Sequence, residues 1–380
     1  MRELIAYAES ALETVTRDRR ALHRIPEEGL KEYKTQAYLM ERLASTAPDE
    51  LTRIAGTGIK AVYRAENPSE GAVGYRADID ALAVYEKSGV LFPSLHEGMM
   101  HACGHDGHMA VLLSLADYVS KIRRQLSGDV VLLFQPAEES VGGAKRMIDE
   151  GALLAPDVVR MYGMHVSPLY DKGVIAVKAG EEMSGTTEFD VRFTGESCHG
   201  AMPHLGKDCA AAAAHFILLA QTLLSRRISP QESAVITVGK VSAGTRRNIV
   251  AGSAVLEATM RAFSDAVMAE LESIVRSAIA STEAAFGVTG EMLVQTVYPP
   301  VINPVELTED FAARTGAVTA QKLSIAEDFS YFQRSVPAVY FFCGIGEDGK
   351  RYSLHSDRFA LSEDALLYGL EAFIKTLPIR

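Results

Sequence analysis

Three short apolar runs, each followed by polar groups, constrain the fold of this chain more than any other feature. Residues 71–76 read as a buried strand and lead into Asp78-Ile79-Asp80. Residues 130–134 are a continuous apolar run of strand length that ends in Gln135-Pro136-Ala137-Glu138-Glu139. Residues 158–164 form a third run, which ends at His165. Helical spacing fills the gaps. Met109, Leu112, Leu113, Ala116 and Val119 fall on one face, and residues 143–148 also read as a helix. Strands alternating with helices specify an α/β fold with an open, mostly parallel sheet. Ligand sites of such sheets form at the carboxyl ends of the strands. Asp78, Asp80, Glu138, Glu139 and His165 therefore predict one shared site.

The pattern changes near Gly180. Residues 187–193 alternate like a half-buried strand, residues 208–224 are Ala- and Leu-rich and helical, and residues 234–239 and 254–260 are strands. A long helix over 265–286 and a strand over 291–297 complete a β-α-β-β-α-β order, the split βαβ or ferredoxin-like α+β unit. It reads as an inserted domain of residues 183–298, within a first domain of residues 1–182 and 299–380. After Pro299-Pro300 the first pattern returns, with a strand over 338–342 and then His355. Upstream, residues 3–45 read as helical with a break at 23–27.

The stretch His101-Ala102-Cys103-Gly104-His105-Asp106-Gly107-His108 packs three imidazoles, a thiol and a carboxylate into eight residues. Burying so many ionisable groups costs free energy unless they have partners. A divalent metal supplies one, since deprotonated thiolate and imidazole are its usual ligands. An exposed polar loop is the bland alternative, and it does not account for this density of ligand types. Cys103, His105, Glu138, Glu139, His165 and His355 mix thiolate, carboxylate and imidazole over a wide span of chain. That mixture suits a catalytic site with two metals sharing a ligand better than a structural zinc. If the loop at Glu138 and Glu139 is extended, the two side chains point different ways, one toward metal and one free to act as a base.

Charge and composition exclude other classes. A net charge of −11 argues against nucleic acid or an anionic membrane as partner. The N-terminal residues show no apolar signal region, and no apolar run reads as long enough to span a bilayer. The four cysteines, Cys103, Cys198, Cys209 and Cys343, show no disulfide framework and fit a reducing cytoplasm.

Several motifs together carry a family resemblance: His23-Arg24-Ile25-Pro26-Glu27, Arg76-Ala77-Asp78-Ile79-Asp80-Ala81-Leu82, residues 100–108, Gln135-Pro136-Ala137-Glu138-Glu139, Gly163-Met164-His165-Val166, Ala326-Glu327-Asp328-Phe329 and Leu354-His355-Ser356. Along essentially its whole length the chain resembles the aminoacylase/carboxypeptidase family of dinuclear metallohydrolases. Within it, the chain is most similar to the amidohydrolase branch that holds N-acetyldiaminopimelate deacetylases, hippurate hydrolases and indole-acetyl-amino-acid hydrolases. The resemblance implies two divalent ions (Zn, Ni, Co or Mn) bridged by Cys103, with Glu139 and His355 completing one and His105 and His165 the other. It implies Glu138 as general base. Other branches have His-x-Asp where this chain has Asp78-Ile79-Asp80. His105 then takes the ligand role, Asp80 orients ligands, and Asp78 is left without a role.

By the same resemblance the inserted domain is a lid and homodimerisation domain. In Gly195-Glu196-Ser197-Cys198-His199-Gly200-Ala201-Met202-Pro203, His199 would reach the partner subunit's site and stabilise an oxyanion. Asn248 and Arg261 would hold the substrate carboxylate. Without the resemblance, His199 reads equally as a loop histidine and Arg261 as a solvated strand-end charge. Cys198 stands where a small residue is expected and Ala83 where Pro is common, while His101 and His108 read as supporting rather than ligating residues.

The implied activity is metal-dependent hydrolysis of the amide bond of a small N-acyl amino acid. N-acetyldiaminopimelate deacetylation is one substrate reading and a broad aminoacylase or hippurate-type hydrolase the other. Two readings from other classes stand beside it. A cysteine hydrolase using Cys103 and His105 leaves Glu138, Glu139, His165 and His355 unexplained. A non-catalytic metal-binding or assembly protein has no need of a base such as Glu138.

Overall fold

The structure is a computed structural model describing residues 7, 10–348 and 351–380. The helical reading of residues 3–45 lies partly outside the described residues. Within them, helix α1 spans Leu12–His23 and α2 spans Tyr33–Ala44. The chain forms two compact units. One comprises Met1–Gly180, Ile302–Gln321 and Asp328–Arg380, and the other Glu181–Val301 and Lys322–Glu327. Residues 322–327 join the second unit, which the sequence reading did not anticipate. The cause is backbone pairing: Ser184 N–H donates to Leu323 O at 3.0 Å, and Leu323 N–H donates to Glu182 O at 2.9 Å.

The first unit begins with strands β1 (Glu50–Ile54), β2 (Gly58–Tyr63), β3 (Ala72–Asp78), β4 (Val130–Gln135), β5 (Val158–Asp171) and β6 (Ile175–Val177). The second unit contributes β7 (Gly185–Thr194), β8 (Ala234–Ala243), β9 (Ser253–Ala262) and β10 (Thr289–Tyr298). The first unit then resumes with β11 (Val318–Thr319) and β12 (Ala338–Gly346).

Its eight-stranded sheet has the order β1-β2-β4-β3-β5-β12-β6-β11. β4, β3, β5 and β12 run parallel, and antiparallel pairings flank them at β1, β2 and β6. Every residue of β3 and β4 is buried, which is why these strands read as continuous apolar runs rather than alternating ones. Helix α3 (His105–Ile122) packs on these strands, on α1 and on a C-terminal helix, Leu366–Lys375. Its Leu112, Leu113, Leu115 and Val119 are wholly inaccessible, each such side chain contributing about 1.5–3 kcal/mol of transfer free energy. That anchors the ligand-bearing start of α3 on a rigid core.

Two sequence expectations need correction in this unit. β5 does not end at His165 but runs through it to Asp171, because β12 continues alongside, pairing Phe342 with His165 and Cys343 with Val166. Glu138 and Glu139 lie in a turn, not an extended loop, and Ala137 before them has φ +58°. The β1–β2 hairpin was not read from the sequence at all.

The second unit has the antiparallel order β10-β7-β9-β8, with helices α4 (Cys209–Arg227) and α5 (Asp265–Phe286) packed on it. This is the anticipated split βαβ arrangement. Phe189, Val191 and Phe193 alternate inward along β7 into a core shared with Phe216 and Ile274. Asp208 caps α4 through Ala210 N–H at 2.9 Å, and Ser264 caps α5 through Val267 N–H at 3.3 Å. The expectation that no apolar run could span a bilayer is amended by α4, whose 19 residues are long and apolar enough by length and composition. In the fold, one face of this helix, with Cys209, Ala212, Ala213, Phe216 and Ala220, is buried in the unit's core.

Candidate active site

The first unit gathers the anticipated ligand types at the carboxyl ends of β3 and β4 and beside mid-β5. Gly104 makes this possible. Its φ is +88°, and a Cβ there would lie 2.5 Å from Val166 Cγ2, so only glycine lets the chain turn between Cys103 and His105. Ligand atoms of Cys103, His105 and His165 lie within 4.8 Å of one another, and so do those of Cys103, Glu139 and His355. The two sets share Cys103. Glu138 and Glu139 form a third such set with His105.

Hydrogen bonds prepare the imidazoles as ligands. His105 Nδ1 lies 3.0 Å from Asp80 O and 3.4 Å from Asp80 Oδ1, so Nδ1 donates there and Nε2 is the nitrogen turned toward Glu139 Oε1, 3.9 Å away. His165 Nδ1 donates to Val166 O at 2.7 Å, and its Nε2 lies 3.3 Å from Cys103 Sγ. Metal-binding histidines characteristically donate the remote N–H to a carbonyl or carboxylate in this way. Asp80 Oδ2 also accepts Glu139 N–H at 2.9 Å. His355, half exposed and held at φ +65°, places Nε2 3.1 Å from Glu139 Oε1. Its backbone N–H donates to Ala102 O at 2.9 Å, tying it to the 101–108 segment.

Asp80 Oδ1 and His105 Nε2 are buried without a hydrogen bond among the described residues. An orphaned buried ligand atom is costly, and a divalent cation would be its partner: His105 stands in the ligand sets above, and Asp80 does not. The donor set therefore fits metal ions, two of them through the shared thiol. The electrostatics agree. Burial opposes charge on His105, yet Asp78, Asp80 and Glu139 outweigh it and raise its pKa to about 10. Burial opposes charge on Glu139 as well, but His355 and His105 hold its pKa below the usual carboxylate range. Burial, then Glu139 and Glu138, pushes the Cys103 thiol up, and burial followed by His108 lowers His165 to about 3.

Asp78, left without a role in the sequence reading, is fully committed. Its Oδ2 accepts Arg76 Nη1 at 2.7 Å and its Oδ1 accepts His108 Nδ1 at 2.6 Å. His108 Nε2 in turn accepts Val166 N–H at 3.0 Å, pinning the backbone next to His165. Arg76 also reaches Asp328 Oδ1 at 3.0 Å and Gln135 Oε1 at 2.8 Å, and Gln135 donates to Asp328 at 2.8 Å. This buried network ties together the ends of β3 and β4 and the backbone beside His165. Sequence reasoning missed it, although Arg76 and Asp78 at i and i+2 share one face of their strand. His101 is buried with neither ring nitrogen hydrogen-bonded among the described residues and belongs to none of these sets.

His199, Asn248 and Arg261 all lie in the second unit. His199 and Asn248 are exposed and adjacent: His199 bridges Ile249, and Gly200 N–H donates to Asn248 O at 2.8 Å. His199 Nδ1 accepts Ala201 N–H at 3.1 Å, which puts the imidazole proton on Nε2, the nitrogen with no partner among the described residues. Cys198 Sγ donates to Met202 O at 3.2 Å within the same turn. Arg261, near the end of β9, reaches Ser324 O at 3.4 Å.

Comparison with known proteins agrees with this chemistry. The family model for peptidase family M20/M25/M40 matches residues 74–378. The chain is 38% identical over 370 residues to the N-acetyldiaminopimelate deacetylase of Shouchella clausii (strain KSM-K16), covering 95% of this chain and 97% of that protein. Among solved structures, a protein from methicillin resistant Staphylococcus aureus superposes with a TM-score of 0.94 at 31% identity, over 98% of both chains. The Bacillus subtilis YXEP protein, described as a dinuclear metal binding peptidase of the M20 family, gives 0.82 at 28% identity, over 98% of this chain and all of that one. The chain belongs to peptidase family M20/M25/M40 and is a metal-dependent amidohydrolase.

Proposed function

We propose that this protein removes the acetyl group from an N-acetylated diaminopimelate, using two divalent ions held by Cys103, His105, Glu139, His165 and His355. The observation that carries the metal assignment is Cys103 standing in both ligand sets, which is what a bridge between two ions requires. The substrate assignment rests on the near full-length likeness to the Shouchella clausii enzyme. Ions held by these sets would supply Lewis acidity toward the amide carbonyl and toward a water. Glu138 accepts a proton from that water as it adds to the carbonyl carbon, and returns it to the amine nitrogen as the C–N bond breaks. Acetate and the free amine leave. Thiolate, imidazole and carboxylate together accept Zn, Ni, Co or Mn, so availability selects among them.

In this reading the second unit is the lid and dimerisation domain of a homodimer. Support comes from β8, an edge strand with Val235 and Val241 exposed, and from Leu218 on neighbouring α4, which is 71% exposed. His199 Nε2–H is the oxyanion donor and acts on the partner's site, while Asn248 and Arg261 hold the substrate carboxylate. The four free cysteines suit the cytoplasm.

The test is acetate release from N-acetyldiaminopimelate, with hippurate as the comparison, before and after chelation and after re-addition of Zn, Ni, Co or Mn. Activity should vanish on chelation, return with at least one metal, and favour the acetylated diamino acid. Reconstituted protein that hydrolyses no acyl amino acid would overturn the proposal.

A further inference from the structure

The motif His23-Arg24-Ile25-Pro26-Glu27 supplies no residue to the metal-ligand sets among the described residues. It fixes the start of α2 instead. Glu27 Oε2 accepts Lys34 N–H at 2.9 Å and Thr35 N–H at 3.0 Å, two of the donors that a helix leaves open in its first turn. Glu32, the residue before α2, is thereby set in place, and it is wholly inaccessible. Glu32 Oε1 accepts Ala137 N–H at 2.9 Å, and Oε2 accepts the Thr57 hydroxyl. One buried carboxyl in the first unit therefore joins the start of α2, the β1–β2 turn and the backbone immediately before Glu138.

That backbone is held against its own preference. Ala137 has φ +58°, a conformation that costs free energy for a residue with a Cβ. Two hydrogen bonds fasten it: the one to Glu32, and the one from Gly142 N–H to Ala137 O at 2.9 Å, which closes the turn carrying Glu138 and Glu139. The packing around it is close. A Cβ at Gly29 would lie 2.9 Å from Ala137 Cα, and one at Gly58 would lie 2.9 Å from Pro136 Cδ. Glu139 has a separate hold, since its N–H donates to Asp80 Oδ2. The fastening carboxyl is itself costly. No Lys, Arg or His pairs with it among the described residues, and burial pushes its pKa above the usual carboxylate range. A buried acid without a counter-ion lowers stability, and such departures from a well-packed core are expected where function requires them.

We propose that Glu32 is a positioning residue for the amide hydrolysis: by fastening Ala137 N–H it fixes the turn from which Glu138 projects, and so aims the Glu138 carboxylate. The inference rests on the reading of Glu138 as general base. What Glu32 supplies is an acceptor oxygen at the right reach, and it acts through Glu138 rather than on the substrate.

The test is kcat and KM of metal-loaded enzyme, per two-ion site counted by elemental analysis, on whichever of N-acetyldiaminopimelate and hippurate turns over faster. Glu32→Ala should lower kcat by about 10²-fold, the cost of misplacing a catalytic group by about 1 Å, with KM within about 3-fold of wild type. Glu32→Gln keeps an oxygen for Ala137 N–H and a donor for the Thr57 oxygen at the same reach, and should stay within about 3-fold of wild-type kcat, whereas Glu32→Asp keeps the charge but is one methylene short and should lose about 10-fold or more. The reverse order of these two would make charge rather than reach the active property and overturn the proposal, and both variants keep a polar group in the site should Glu32→Ala not fold. In a Glu138→Gln background, Glu32→Ala should cost less than about 2-fold further, because the base it aims is already gone. A full second loss there shows general damage and overturns the proposal. Glu138→Gln alone separates the two readings. Full turnover in that variant removes the base assignment and this inference with it, whereas a loss there beside full turnover in Glu32→Ala overturns this inference alone.

Discussion

Replacing Asp78 with Asn removes a negative charge from a place no solvent reaches, since Asp78 and Arg76 have wholly inaccessible side chains. The carboxylate accepts from Arg76 at 2.7 Å through one oxygen and from His108 at 2.6 Å through the other. Asn offers one acceptor oxygen, so its NH₂ must face one of these two donors. Breaking a buried charge pair from one side costs about 3–5 kcal/mol. Here Arg76 keeps Asp328 and Gln135, which places the expected loss near the lower figure, about 3 kcal/mol. For a unit of this size that is a fall in Tm of roughly 6–12 °C. The comparison belongs in chelated protein, because bound metal adds stability of its own. Metal titration of the same variant should still reach two ions per chain, with affinity weakened about 10–100-fold, as when an outer-shell partner of a ligand is lost. Unchanged stability of the chelated variant would refute the network's importance. Loss of one ion at saturating metal would show that Asp78 is itself a ligand.

Glu138→Gln should lower kcat by about 10²–10⁴-fold with metal content intact, whereas Glu139→Gln should lose metal; elemental analysis beside turnover separates them, and the reverse pattern exchanges the two roles. His199→Ala should lower kcat by roughly 10²–10³-fold. Mixing it with Glu138→Gln and allowing subunit exchange should restore about one working site per heterodimer, and verified exchange without recovery would place His199 in its own subunit's site. His23 is buried between Asp106 at 2.8 Å and Glu86 at 3.1 Å. Burial opposes its charge, but these two carboxylates prevail and raise its pKa to about 9. A raised folded-state pKa stabilises fully below the unfolded value near 6.5 and loses that contribution as pH climbs through 9. Wild type should therefore lose about 3 kcal/mol more than His23→Gln between pH 6.5 and 9.5 in urea unfolding, and parallel curves would exclude this.

What the sequence determined by itself lies in local pattern. Continuous apolar runs marked β3 and β4 because strands buried on both faces need no polar alternation. The alternation of β7 and the Ala- and Leu-rich composition of residues 208–224 marked the second unit for the same kind of reason, since period and propensity are set by neighbouring residues. The crowd of imidazoles and thiol at 101–108 announced metal chemistry because no dry core tolerates it unpartnered. Tertiary structure decided whatever depends on a partner remote in the chain. β5 extends past His165 only because β12 lies beside it, and residues 322–327 join the second unit only because residues 182 and 184 pair with Leu323. Asp78 could not be assigned from its own segment, since the groups that occupy it are Arg76, two residues away, and His108, thirty away, and Asp328 holds Arg76 from 252 residues away. A side chain's type limits the bonds it can make, but which bonds it makes is settled by the groups that folding brings within three ångströms of it.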